Sequence, residues 1–455
     1  MEINPLIFRE YDIRGVVGRD LTPGIVKRLG QGFGTSMVRS GRKRLAVGRD
    51  GRLSSKTFGE ALTEGLLSTG CDVVDIGLCP TPVYYFSLFH LDQEGGVMVT
   101  GSHNPPEFNG FKISVGKSTL FGEEIQKLGR MVQEGRFVAG EGRLSAQGII
   151  PAYRDCITKS VCLERKLRVV IDAGNGTAGL VAGSLLRDLG CEVEELYCEV
   201  DGRFPNHFPD PTIPEYLKDL IGRVKGTRAD LGIGYDGDAD RIGVVDDRGN
   251  IIWGDQLMIL FAREILERRK GATFVAEVKC SQNLFDDIEK RGGRAIMWKT
   301  GHSLIKEKMK LENAALGGEM SGHIFFADRY FGYDDAIYAS CRLAELLSGT
   351  EKKLSRLMED IPKTVTTPEI RVECPDEIKF KVVDQVKEEL RKECVIIDVD
   401  GVRAKFKGGW GLVRASNTQP VLVLRFEAST EERLREIRRF VEEKVKKFLP
   451  SHAEG

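Results

Sequence analysis

The sequence has no run approaching the ~20 consecutive apolar residues that a membrane-spanning helix requires, and no excess of either charge. Its 67 Lys and Arg face 68 Asp and Glu, a formal net charge of −1. No global field recruits nucleic acid or an anionic membrane, so neither is expected as a partner. An anionic small molecule would have to be gripped by locally placed basic residues. The N-terminal stretch MEINPLIFREYDIRG lacks the basic start and long apolar run of a secretory leader, and none is expected. The ten cysteines are scattered without C-x-x-C spacing, which argues against a zinc ribbon and a small disulfide scaffold. Several fall in apolar strand or helix patterns, where a thiol acts as a small hydrophobe. Reduced thiols in a cytoplasmic protein are the expectation. No segment is of low complexity.

What is present is a long chain with a recurring unit. Its 455 residues suit three or four domains. An apolar strand, a polar loop, a helix and a second strand begin at Arg44, and the pattern returns at Arg168 and at Thr273. Strand–helix–strand units with short loops imply mainly parallel sheets covered by helices. The intervals are far longer than the period of a solenoid. Three related α/β domains are therefore expected, over 1–148, 149–250 and 251–365. From 366 to 455 the order changes to strand, helix, several strands and a charged final helix, which predicts a smaller α+β domain. Pro and Thr residues near Pro362–Pro368 make a linker.

Four segments could carry chemistry. In GYDGDADRIG, Asp236, Asp238 and Asp240 alternate with small residues after an apolar strand. Carboxylates so close repel unless a cation sits among them, and oxygen-only ligands suit Mg²⁺ before Zn²⁺. A calcium EF-hand is excluded, because its sixth loop position needs Gly and here holds Arg241. In VMVTGSHNPPEFNGFKIS, a strand runs through Gly101 into Ser102, a candidate nucleophile or phosphoryl carrier, with His103 and Lys112 nearby. In GWGLVRASNTQPVLVLRF, Arg414, Ser416, Asn417 and Thr418 occupy a loop between strands, a candidate phosphate cradle. In GGEMSGHIFF, Glu319, Ser321 and His323 alternate, so an extended segment would face them one way, toward sugar hydroxyls. A fifth segment, GNGTAG at 174–179, fits the dinucleotide fingerprint, with Glu194 and Glu195 about twenty residues on. Asp172 at the end of the preceding strand would oppose a pyrophosphate there. The same unit recurs without these glycines, so the match reads as architectural.

In this order, FREYDIRG, TGSHNPPEFNGFKI, DGDADR, GEMSGH, DGVR and RASNTQP resemble the α-D-phosphohexomutase superfamily, closest to its bacterial and archaeal phosphomannomutase/phosphoglucomutase branch. The resemblance covers nearly the whole chain. It implies four domains around a central cleft and a phosphohexomutase that exchanges 1- and 6-phosphates of mannose and glucose. It makes Ser102 the phosphoserine, completing an Mg²⁺ site with Asp236, Asp238 and Asp240. Arg14, Lys112 and Arg241 would supply charge near the transferring group, with His103 beside the nucleophile. Tyr11, Lys279 and His302 would face the substrate. Glu319 and Ser321, with His323, would hold the sugar, and Arg414, Ser416, Asn417 and Thr418 its other phosphate. A glucose or mannose 1,6-bisphosphate would serve as activator and intermediate. A general base is left open among His302, His323, Lys279 and Lys112. Gly101, where the superfamily often has alanine, is expected to matter little. Rival readings are a phosphoglucosamine mutase, a phosphosugar phosphatase and a non-catalytic phosphosugar-binding protein.

Overall fold

The computed structural model describes residues 3–416 and 419–449. Each recurring unit opens into a sheet of the same topology. In the first, Arg44–Arg49 pairs in parallel with Asp72–Leu78 and Gly95–Val99, and Phe108–Val115 then returns antiparallel. In the second, Arg168–Asp172 lies parallel between Glu192–Leu196 and Leu231–Tyr235, and Ile242–Asp246 returns. In the third, Thr273–Glu277 lies between Arg294–Trp298 and Leu316–Gly318, and Ile324–Phe326 returns. Three alike sheets place three alike hairpin turns at the carboxyl ends of their parallel strands, where open α/β sheets bind ligands. Those turns carry Ser102, the three aspartates and Glu319.

The fourth sheet is antiparallel through Val402–Phe406, Gly409–Ala415 and Val421–Ala428. Arg414, expected in a loop, lies instead near the end of the strand Gly409–Ala415, with Ser416 directly after it. Val365–Thr366 already pairs with Val421–Ala428, so the chain joins this sheet at Val365. The final helix, Glu431–Lys446, is N-capped by Thr430 and buries Leu434, Ile437, Val441 and Val445, a spacing that lays one apolar stripe on the sheet. Ion pairs Arg438–Glu442 and Arg439–Glu443 run along the other face.

Residues of the first three sheets share one continuous core, to which the helices Thr81–His90, Ile150–Ser160 and Ala336–Ser348 all contribute. The fourth domain has its own core, joined to the third through Val278, Trp410 and Leu412. All ten cysteines are free thiols. No helix among the described residues is long and apolar enough to cross a membrane.

Candidate active site

The strand Gly95–Val99 is wholly buried, and the chain leaves it in a sharp turn with Ser102 at φ +49°. A left-handed serine is costly and persists only where its surroundings hold it. Arg52 does so. Its guanidinium, 3% exposed as a residue, donates to the carbonyls of Ser102, Asn104, Pro105 and Phe108. Asp50 accepts from Gly101 N at 3.0 Å, and Thr100 Oγ1 from Ser102 N at 2.9 Å. A Cβ at Gly101 would fall 2.4 Å from Arg52 Nε. A methyl at residue 101 would therefore need the Arg52 staple to shift, a closer coupling than the sequence alone suggested.

Ser102 Oγ donates to Asp236 Oδ2 at 2.8 Å and lies 3.2 Å from His103 Nδ1. The aspartates occupy the turn between Leu231–Tyr235 and Ile242–Asp246, with Ala239 at φ +62°. A Cβ on Gly237 would meet Ser102 O at 2.5 Å, so only glycine lets this turn reach the serine loop. All three carboxylates are fully buried, with one oxygen from each within 4.8 Å of the others. Two like charges ~4 Å apart cost ~4 kcal/mol at an effective dielectric near 20, so compensation is needed. Lys112 Nζ supplies part, bonding Asp238 Oδ2 at 2.8 Å and Asp240 Oδ2. Asp238 Oδ2 also accepts from Thr81 and Thr100 hydroxyls. Its Oδ1 is buried without a hydrogen-bond partner. An all-oxygen set with one unpaired carboxylate oxygen fits a hard cation, and this cluster can hold a metal ion.

Burial, then the charges of Asp240 and Asp238, push the Asp236 carboxyl well above the usual range. Burial also opposes the charge on Asp240, yet Lys112, His323 and Arg241 outweigh it and hold that carboxyl well below the range. His323 bridges two domains, with Nδ1 2.6 Å from Glu319 Oε2 and Nε2 3.1 Å from Asp240 Oδ1. Its burial disfavours the imidazolium, but Asp240 and Glu319 outweigh it and raise the group to about 10. His103 and His302 are the opposite case. Desolvation pushes both well below the ordinary value, helped by Arg241 and Arg14 at His103 and by Lys306 and Lys112 at His302.

The GEMSGH segment is not extended. Glu319 N donates to His323 O at 2.9 Å and Gly322 N to Glu319 O at 3.0 Å, forming a tight turn between Leu316–Gly318 and Ile324–Phe326. The turn brings Glu319 and His323 into contact, while Ser321 sits half-buried at its tip. Glu319 Oε1 accepts from Gly301 N at 2.7 Å. Tyr11 OH donates to Thr300 O at 2.8 Å, and its ring meets that of His302 edge-on at 6.3 Å. Arg14 pairs with Asp12 and donates to Asn104 Oδ1 at 3.1 Å. Arg241 lies beside Asp236, Asp240 and Glu319 and is raised by Asp210 against its burial. Lys279 is held by Glu369 at 2.7 Å. Arg414 Nε donates to Asp400 at 3.0 Å, and Ser416 Oγ accepts from Gln419 N at 3.1 Å. Asn417 and Thr418 lie outside the described residues. The GNGTAG loop packs on the aspartate turn, with Thr177 N donating to Gly237 O at 3.0 Å and Gly174 N to Asp172 Oδ1 at 2.9 Å. Its glycines serve packing.

Arg52, Asp50, Thr81 and Thr100 touch the serine loop or the aspartates, and none stands out in the sequence as a candidate. Only the run RDGRLS after a buried strand could have flagged the first two.

Four domain descriptions of the phosphoglucomutase/phosphomannomutase family match this chain: α/β/α domain I over 5–138, domain II over 151–249, domain III over 253–365 and the C-terminal domain over 369–444. A phosphomannomutase/phosphoglucomutase of Pseudomonas aeruginosa is 48% identical over 433 residues, 95% of this chain and 94% of the relative. A phosphoglucomutase of Neisseria gonorrhoeae is 46% identical over 430 residues, 93% of each chain. The crystal structure of a phosphoglucomutase/phosphomannomutase family protein from Burkholderia thailandensis superposes with a TM-score of 0.94 at 40% identity, covering 99% of both chains. Agreement of this depth across all four domains makes the chain an enzyme of the phosphoglucomutase/phosphomannomutase family.

Proposed function

We propose that the enzyme interconverts the 1- and 6-phosphates of mannose and of glucose through a phosphoserine at Ser102 and a 1,6-bisphosphosugar. The observation that carries this reading is Ser102 Oγ, held in a left-handed turn 2.8 Å from Asp236 within a buried three-carboxylate cluster. The chain divides for this purpose near 148, 250 and 365, each domain lending one turn.

Phosphoryl transfer is mainly alignment and charge stabilisation. Asp236, Asp238 and Asp240, with an oxygen on Ser102, would hold Mg²⁺, which supplies positive charge to the phosphoryl oxygens. Lys112, Arg14 and Arg241 stabilise the same charge from the protein side. In the first transfer the P–Oγ bond of phosphoserine breaks and a bond forms to the free sugar hydroxyl. The hydroxyl proton passes to a protein base, and Ser102 Oγ regains a proton. The bisphosphate turns end over end, and its other phosphoryl group returns to Ser102. Arg414 and Ser416, with Asn417 and Thr418, hold whichever phosphate is not reacting. Glu319 and Ser321 read O3 and O4, which glucose and mannose share, so the C2 epimer goes unread.

Partners narrow the choice of base. His323 is occupied by two carboxylates, Lys112 by two and Lys279 by Glu369. His302 Nδ1 is buried without a hydrogen-bond partner, 3.5 Å from Asp334 Oδ2, which favours His302. A reducing cytoplasm suits the ten free thiols.

The test is incubation with Mg²⁺, a trace of glucose 1,6-bisphosphate, and mannose 1-phosphate or glucose 1-phosphate, beside Ser102→Ala, followed by phosphorus NMR. Both 6-phosphates should form, and the variant should form neither. Free phosphate would mean a phosphatase, and turnover of glucosamine phosphates alone a different mutase.

A further inference from the structure

The tetrapeptide Asp400–Arg403, DGVR, has no part in the mechanism above, yet its two charged side chains lie at the junction of the third and fourth domains. One oxygen, Asp400 Oδ2, accepts from Arg414 Nε at 3.0 Å and from Thr300 N at 3.1 Å. The pair is largely shielded, with side-chain exposures of 8% for Arg414 and 15% for Asp400. Thr300 belongs to the turn before His302. Its carbonyl accepts from Tyr11, and the next amide, Gly301 N, donates to Glu319. One carboxylate oxygen thus ties the phosphate-cradle arginine to a peptide that the first and third domains also grip.

Arg403 performs the matching task on a second loop. It is fully buried, donates to Val278 O at 2.6 Å and Cys280 O at 2.8 Å, and stacks on Trp410 at 3.7 Å. The loop it holds carries Lys279. The DGVR segment therefore fastens the fourth domain to two substrate-facing loops of the third.

We propose that Asp400 is a positioning residue, which fixes the guanidinium plane of Arg414 and keys the phosphate cradle to the Thr300–Gly301 peptide. It thereby sets the span between that cradle and the sugar grip at Glu319. The inference rests on the reading of Arg414 as a phosphate ligand. A carboxylate beside a phosphate-binding arginine is electrostatically adverse, because it repels the incoming dianion. Its benefit is alignment: a planar guanidinium bonds phosphate well only when its orientation is fixed.

The two effects have opposite signs, and this makes the test decisive. Asp400→Asn removes the negative charge and keeps an acceptor for Thr300 N. If charge alone mattered, phosphate would bind more tightly. If Asp400 positions Arg414, KM for glucose 1-phosphate and the inhibition constant of inorganic phosphate should both rise about tenfold, with a smaller change in kcat. Asp400→Glu, which keeps the charge on a longer arm, should move KM in the same direction and serves if the asparagine variant does not fold. Combined with Arg414→Ala, Asp400→Asn should add little further loss, since its effect passes through Arg414. Unchanged or lowered KM in both Asp400 variants, with KM raised by Arg414→Ala, would overturn the inference and leave the cradle intact. Unchanged KM in Arg414→Ala would overturn the cradle reading itself, and the inference with it.

Discussion

Arg52 occupies the space that a methyl group on residue 101 would need, since a Cβ on Gly101 would fall 2.4 Å from its Nε and 2.5 Å from its Cζ. The guanidinium cannot step aside cheaply, because it donates to four carbonyls of the serine loop and neighbouring strand. Gly101→Ala should therefore lower kcat about tenfold by shifting Ser102 and cost ~1–3 kcal/mol in urea unfolding. Wild-type values on both measures would mean that the arginine yields and the staple is dispensable.

Lys112 is bonded to two of the three buried aspartates, Asp238 and Asp240. Lys112→Met leaves those carboxylates short of a cation and should destabilise the metal-free protein by ~3–5 kcal/mol. Added Mg²⁺ should recover more stability in the variant than in the parent, because the site becomes more anionic. Equal shifts in Tm on adding Mg²⁺ would show that Lys112 does not share the cluster's charge.

Chelation should stop transfer, and readdition of Mg²⁺ should restore it. Mg²⁺ at about a hundred times its Kd should add ~2.7 kcal/mol to stability. Asp238→Asn should lose most of that increment, since it alters the carboxylate whose Oδ1 is buried and unpartnered. An unchanged increment would place the cation elsewhere.

Asp335 clasps the second domain to the third, accepting from Tyr153 OH at 2.9 Å, Tyr330 OH at 2.8 Å and Tyr338 N at 2.7 Å. Burial raises its carboxyl from 3.8 to about 7, although the three donors and the neighbouring charge modulate it. A carboxyl raised in the folded state binds its proton more tightly there than in the unfolded chain. Its contribution is therefore fully present below about pH 4 and is lost as pH rises toward 7. Denaturation of wild type across that range should show a fall in stability that Asp335→Asn flattens. Parallel profiles for the two proteins would exclude Asp335 as the source.

The repeats at Arg44, Arg168 and Thr273 were enough to anticipate three alike sheets, because strand and helix periods are local and each unit spells its own elements. Ser102 and the aspartates were legible for the same reason: a strand running into an odd cluster is visible in a few residues. Arg52 and Asp400 were not, because Arg52 bonds backbone carbonyls 50 to 56 residues away and Asp400 bonds a backbone amide 100 residues away, besides one side chain 14 residues on. Backbone carbonyls leave no trace in residue identity. The GEMSGH turn misled because alternation at three positions also suits a strand, and only the pairing of Glu319 N with His323 O reveals the hairpin.

Whether Ser102 donates its phosphoryl group to the sugar and receives one back can be read from a single turnover. Protein radiolabelled on Ser102 by glucose 1,6-bisphosphate, freed of excess reagent, would be mixed with Mg²⁺ and unlabelled glucose 1-phosphate and quenched at intervals. Label should leave Ser102 at the turnover rate and appear first in the 1,6-bisphosphate, then in a 6-phosphate. Label that stays on the protein while product forms, or that emerges as free phosphate, would contradict donation from Ser102 to the sugar.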